Sequence, residues 1–144
     1  NKLGFQNSND ETKNIIYLLT EHLQLTETDM TIFFRNLSQV SKEDTIENTF
    51  EKIATSFYKL DEVKNSIYDT WMYWFTLYIN QLKAESQIDS DRKKDMNLVN
   101  PKYVLRNYMA QLAIDDADKN DYNLLNELYE MLLKPYDEQP QSEK

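Results

Sequence analysis

The chain of 144 residues has no cysteine, one glycine, three prolines and one histidine. Without cysteine there is no disulfide, no thiolate nucleophile and no cysteine zinc site, as expected of a protein of the reducing cytoplasm. With glycine confined to Gly4, a phosphate-cradling loop is disfavoured, because such loops need several residues free of a Cβ. Tight hairpins lean on the same residue, so an all-α chain is predicted. No long apolar run is present either. "WMYWFTLYI" (71–79) spans nine residues, against the roughly 20 needed to cross a bilayer. The first ten residues lack the basic and apolar regions of a signal peptide. The chain opens on Asn1 rather than methionine, as an excised or processed polypeptide would.

Charge of one sign dominates. A net charge of −9 repels a phosphate backbone and anionic lipid, so neither nucleic acid nor membrane is an expected partner. A chain of this size buries roughly 70% of its unfolded surface, so its core needs neither metal nor crosslink.

Apolar residues recur at steps of three and four, which predicts one compact bundle of about six to seven helices over 1–136, with a flexible tail over 137–144. A first helix, capped by Asn9 or Asp10, turns Ile15, Ile16, Leu19 and Leu23 inward. A second, capped by Thr28, buries Ile32, Phe33, Leu37 and Val40. "SKED" (41–44) reads as the capping box of a third, running through Ile46, Phe50, Ile53, Ala54, Phe57 and Leu60. Asp61 caps a long central helix to about residue 86, with an aromatic stripe of Trp71, Trp74, Phe75 and Tyr78. Tyr68 and Tyr73 flank this stripe, placed to touch a neighbouring domain. A polar break over 85–91 and a short helix over 92–98 follow. Asn100 as N-cap and Pro101 at the first position start a helix that buries Tyr103, Val104, Tyr108, Met109 and Leu112. Asp121 caps the last helix, with Leu124, Leu125, Leu128, Met131 and Leu132 inward, and Pro135 ends it.

Side chains for chemistry are scarce. His22, the one histidine, sits beside Leu19 and Leu23 and has no second ligand at helical spacing, so it reads as structural. The acidic run Asp115, Asp116, Asp118, Asp121 lacks the glycine and closing glutamate of a calcium loop and reads as capping and solvation. No catalytic, cofactor-binding or metal residue is assigned. Arg106, between covered aromatics, needs a carboxylate or carbonyl partner, and Asp29 and Asp95 are the candidates. Asp29, Arg35, Asn100, Arg106 and Asn107 are therefore the candidate structural or interdomain contacts.

"MNLVNPKYVLRNYMAQLAIDDADKNDYNLLNELYEMLLKPYDEQP" (96–140) resembles the C-terminal region of the selenoprotein O family, pseudokinase-fold protein adenylyltransferases. "KLGF" (2–5) is similar to the family's junction after its kinase-like core. "TDMTIFFRNLS" (28–38) is similar to its D-aromatic-T-x-x-F-R-x-L segment, with Met30 in the aromatic's place. The resemblance implies a parent enzyme that moves AMP from ATP onto hydroxyl side chains of protein substrates, using magnesium or manganese. The family's ion-pair lysine, metal-binding asparagine and aspartate and glycine-rich loop would all precede Lys2. Its redox-active cysteine or selenocysteine, near the extreme C-terminus, has no counterpart in these residues. Two readings follow. The chain is a non-catalytic helical domain that buttresses the missing N-terminal kinase-like domain, or a freestanding interaction module. An enzyme in its own right is disfavoured by the missing bases and glycines. A buttress implies a bare apolar patch, expected near Leu3 and Phe5 or along the long helix.

Overall fold

The computed structural model describes residues 2–104 and 106–139, Asn107 by its backbone only. The described residues form eight α-helices and no sheet, so the all-α class holds. They gather into two compact units, residues 1–100 and 101–144, each treated by itself.

In the first unit, helix α1 (Asp10–His22) starts at a reciprocal cap. Asn9 accepts from the Thr12 N–H and the Thr12 hydroxyl oxygen accepts from the Asn9 N–H, both at 2.9 Å. Helix α2 (Met30–Leu37) is capped by Asp29 rather than Thr28. The carboxylate outcompetes the hydroxyl next to it, accepting the Ile32 N–H at 3.1 Å. Helix α3 (Ile46–Ile53) begins later than "SKED" suggests, at Thr45. Asp44 accepts the Ser41 N–H at 2.9 Å, but the Ser41 hydroxyl donates to Asp89 at 2.7 Å instead of closing a box. These residues make a turn ahead of the helix. A single 3-10 turn, Ala54–Ser56, follows, and Phe57 leaves helical torsion at φ −91°, ψ 124°. There residues 27–29 and 56–58 meet side by side, with Asp29 donating its N–H to the Ser56 carbonyl at 2.7 Å.

The long helix is two helices, α4 (Leu60–Ser66) and α5 (Tyr68–Ala84). The Ser66 hydroxyl donates back to the Glu62 carbonyl at 2.9 Å, a bond that bends helices, and Ile67 then departs to φ −124°, ψ 13°. At 1.5 Å per residue, α5 is about 25 Å long. Its stripe is the core. Trp71, Trp74, Phe75 and Tyr78 are fully buried and α1, α3 and α4 pack on α5. Phe33 and Phe57 join Trp71, and Phe50 joins Phe75, with ring centroids 5.3–6.4 Å apart, the spacing of edge and offset aromatic pairs. Tyr68 packs its ring on Phe50, whereas Tyr73 stands exposed. Ile16, placed inward by the sequence pattern, is exposed. Helix α6 (Asp89–Val99) closes the unit and takes in part of the expected polar break.

Asn100 ends α6 instead of starting a helix. Proline disfavours helical torsion in the residue before it, and Asn100 lies extended at φ −112°, ψ 106°. In the second unit, residues 101–104 stay non-helical because their donors are used elsewhere. The Lys102 and Tyr103 N–H groups both donate to the Pro135 carbonyl, at 2.8 and 3.2 Å. Helix α7 (Asn107–Asp118) and helix α8 (Asn123–Leu133) pack together over Tyr103, Ala113, Leu128 and Met131. Tyr108, Leu112 and Leu125, expected inward, are exposed, because Met109 and Ala113 carry the inner face of α7. The tail expected from 137 is packed at its start. Gln139 is buried, donating its side-chain N–H groups to the Met131 and Lys134 carbonyls and its backbone N–H to Tyr103 Oη. Residues 140–144 lie outside the described residues.

Candidate functional site

Three buried side chains of the first unit, Tyr78, Glu85 and Asn100, bond to the segment that enters it. Gly4 sits at φ +77°, a torsion that L side chains rarely adopt, and a Cβ there would meet Arg92 Cγ and Met96 Sδ at 2.7 Å. The backbone thus runs directly over α6 and drops Leu3 and Phe5 into the core. Tyr78 donates its hydroxyl to the Leu3 carbonyl at 2.7 Å, and burial pushes that phenol up, so it remains a donor. Glu85 receives the Gln6 N–H at 3.0 and 3.1 Å and the Asn7 N–H at 3.0 Å. Asn100 donates to the Lys2 carbonyl at 3.0 Å.

A second group joins the α5–α6 corner to residues 40–42. Asp89 accepts from the Ser41 hydroxyl at 2.7 Å, the Lys42 N–H at 3.2 Å and Arg92 Nη1 at 2.6 Å. Arg92, 1% exposed, also donates from Nη2 to the Val40 carbonyl. Burial works to raise the Asp89 carboxyl, but hydrogen bonds from Ser41 and Arg92 and the guanidinium charge outweigh it and hold the group below its ordinary range. Lys42 Nζ donates to the Glu85 carbonyl at 2.9 Å.

Of the five candidate contacts, three are placed in the first unit. Asp29 caps α2 and accepts the Tyr58 hydroxyl at 3.1 Å. Arg35 is buried and donates from Nη1 to the Asn97 and Asn100 carbonyls at 3.1 and 2.9 Å. A cation at the last turn of α6 answers carbonyls that the helix leaves unpaired. Arg35 and Asn100 are thus brought together, with Asn100 contributing its carbonyl to Arg35 and its side chain to Lys2. In the second unit Arg106 is half-buried and its carbonyl accepts the Ala110 N–H, opening α7. Asn107 is the first residue of that helix, and its side chain lies outside the described part. Asp95, the other candidate partner for Arg106, accepts from Gln87 at 2.8 Å.

Sequence reasoning missed Glu85, Asp89 and Arg92, placing the first two in a solvated break. The i,i+3 spacing of Asp89 and Arg92 on one helix was the available signal. Glu85 gave only its i,i+4 spacing from Gln81, whose amide donates to it at 3.3 Å, because the backbone N–H groups it receives lie 78 and 79 residues away.

His22 is buried against Trp71, ring centroids 5.5 Å apart, and burial lowers its pKa. The unfolded imidazole takes up a proton near pH 6.5 while the folded one stays neutral to lower pH. Stability is therefore full above pH 6.5 and falls as pH drops through it. As the chain has one histidine, the urea midpoint is expected to fall from pH 7.5 to about 6.0, and His22→Gln to flatten that slope. An equal slope in the variant would place the titrating group elsewhere.

Leu3 and Phe5 are themselves core residues. The open apolar surface lies beside them. A groove of about 610 Å³ between α1 and α2 is lined by Leu3, Ile16, Leu23, Met30 and Phe34, with Lys2 at its rim over the Phe34 ring. Ile16 and Met30 are both 48% exposed.

No described helix is long and apolar enough to cross a membrane. Comparison with known proteins gives one coherent result. The chain is 58% identical over its whole length to a protein nucleotidyltransferase YdiU of Flavobacterium johnsoniae, of which it covers 28%. It is 42% identical to the protein of that name from Rhodopirellula baltica, covering 28% of it, and 38% identical to that of Aromatoleum aromaticum, covering 27%. The chain thus spans little more than a quarter of the length of these relatives. The family model for protein adenylyltransferase SelO matches residues 1–133, and the chain belongs to that family.

Proposed function

We propose that residues 1–144 are the helical C-terminal domain of a cytoplasmic protein adenylyltransferase, contributing no catalytic group and buttressing a kinase-like lobe. The longer protein transfers AMP from ATP to hydroxyl side chains of protein substrates, with magnesium or manganese. The observation that carries this reading is the use made of the buried and half-buried charges. Glu85, Asp89, Arg92 and Arg35 are engaged by backbone groups and helix ends, holding the entering segment and the last turn of α6 in place. Charges spent on backbone atoms are fixed in position and leave no convergent set for a substrate.

The described residues do not fit a metal–nucleotide site. Among the described residues no group of three or more histidine, aspartate or glutamate side chains converges as metal ligands. The one glycine is used to cross α6, where no phosphate loop can form. The nucleotide and its metal therefore belong, in this reading, to the part of the longer protein outside residues 1–144. Family membership and the relatives' greater length support the same division of labour.

Calorimetric titration with ATP and magnesium tests it. The longer protein is expected to bind and residues 1–144 to give no heat above dilution. Saturable binding of equal affinity by residues 1–144 would overturn the reading.

A further inference from the structure

We infer that the α1–α2 groove seats an apolar segment of the same polypeptide that precedes residue 2 in the longer protein. The inference rests on the reading of residues 1–144 as part of such a protein, and adds to it the surface through which the buttress acts.

Three observations select this occupant. The groove is apolar, with Ile16 from α1 and Met30 from α2 half-exposed in its lining beside Leu3 and Phe34. Isolated exposed apolar residues need no explanation, but a concave set of this kind marks a binding site. The entering chain itself forms part of the lining, through Lys2 and Leu3. That segment is fixed by the bonds from Tyr78, Glu85 and Asn100 to residues 2–7, so the backbone leaves Lys2 at the groove's rim. Finally, the relatives are more than three times the length of this chain, which covers 28% of them. Polypeptide joined at Lys2 is held beside the groove at the effective concentration of a short tether, about millimolar, which a second copy or a separate partner lacks. Backbone rigidity at the rim and an apolar bed beside it are the two things a folding-back segment needs.

The absence of cysteine from the chain provides the test. Ile16→Cys and, separately, Lys13→Cys, an exposed position on the same helix, are placed in the longer protein. Labelling by a maleimide is followed on the peptide that carries each position. In the native protein the thiol introduced at position 16 is expected to react at least tenfold more slowly than the one at position 13. In urea the two should react equally fast. Met30→Glu, which puts a charge in the groove wall, is expected to bring the position-16 thiol up to the rate of the position-13 thiol. Equal native rates without Met30→Glu overturn the inference. So does protection that disappears on dilution, which assigns the groove to a second copy. AMP transfer measured on the wild-type protein separates the two readings. Transfer together with an unprotected thiol at position 16 removes the groove's occupant and leaves the proposed function standing. No transfer removes that function, with the labelling still deciding the groove.

Discussion

Replacing Arg92 with alanine is expected to lower the stability of the first unit by about 2–4 kcal/mol, from the buried guanidinium's lost hydrogen bonds and emptied volume more than from its ion pair, because the Asp89 side chain is 37% exposed. The side chain is 1% exposed, and its guanidinium joins Asp89 on α6 to the Val40 carbonyl after α2. Truncation leaves that carbonyl without its donor and the Arg92 stem's volume empty against Gly4. Asp89 keeps the Ser41 hydroxyl and the Lys42 N–H, which places the loss toward the lower end of the range. Both tryptophans lie on α5, so their fluorescence in a urea titration reports this unit's unfolding alone. The acid limb provides an independent sign. The Asp89 carboxyl is held below its ordinary range, so its contribution is present above the unfolded pKa and is lost as pH falls through the folded one. Arg92→Ala should make the fall in stability below about pH 4 shallower. A variant within about 1 kcal/mol of the parent, with an unchanged acid limb, would mean that Asp89 and Val40 do not depend on Arg92.

Gly4→Ala is expected to cost about 2–5 kcal/mol, summing a left-handed torsion of about 1–2 kcal/mol and an overpacking term of about 1–3. Its Cβ would lie 2.7 Å from both Arg92 Cγ and Met96 Sδ, against an ordinary contact of 3.4 Å or more. Neither neighbour yields easily. Met96 is fully buried, and the Arg92 stem is anchored by its guanidinium. Because the added methyl presses on Arg92, the two substitutions should not add. The double variant is expected to be more stable than the sum of the single losses predicts. Strict additivity in the urea midpoints would separate the two sites and remove the contact from the account.

These two positions also mark where the sequence stops being informative. Periodicity finds the aromatic face of α5 because a core stripe repeats locally, and Trp71, Trp74, Phe75 and Tyr78 all lie on it. The break at Ile67 is hidden, since Ser66 bends the helix without altering the apolar spacing on either side. "NPKY" misleads for a similar reason. An extended residue before proline serves a helix start and a helix end equally, and only the use of the Lys102 and Tyr103 donors by Pro135 decides between them. The polar break over 85–91 fails for a different reason. A carboxylate in water and one clasped by backbone N–H groups have the same letter, and for Glu85 those groups lie at the far end of the unit's sequence. Asp29 caps α2 where the sequence pattern points to Thr28, and Asn100 ends a helix where the pattern starts one, so neither role is legible locally, and the carbonyls that Arg35 meets lie 62 and 65 residues away.

AMP transfer tests the central claim most directly. The longer protein and residues 1–144 alone are incubated with labelled ATP, magnesium or manganese, and protein substrate. Label is expected to appear on protein only with the longer chain, and residues 1–144 should remain at background under either metal. Metal-dependent labelling by residues 1–144 at a comparable rate would contradict the account, because the reacting groups would then lie within these helices.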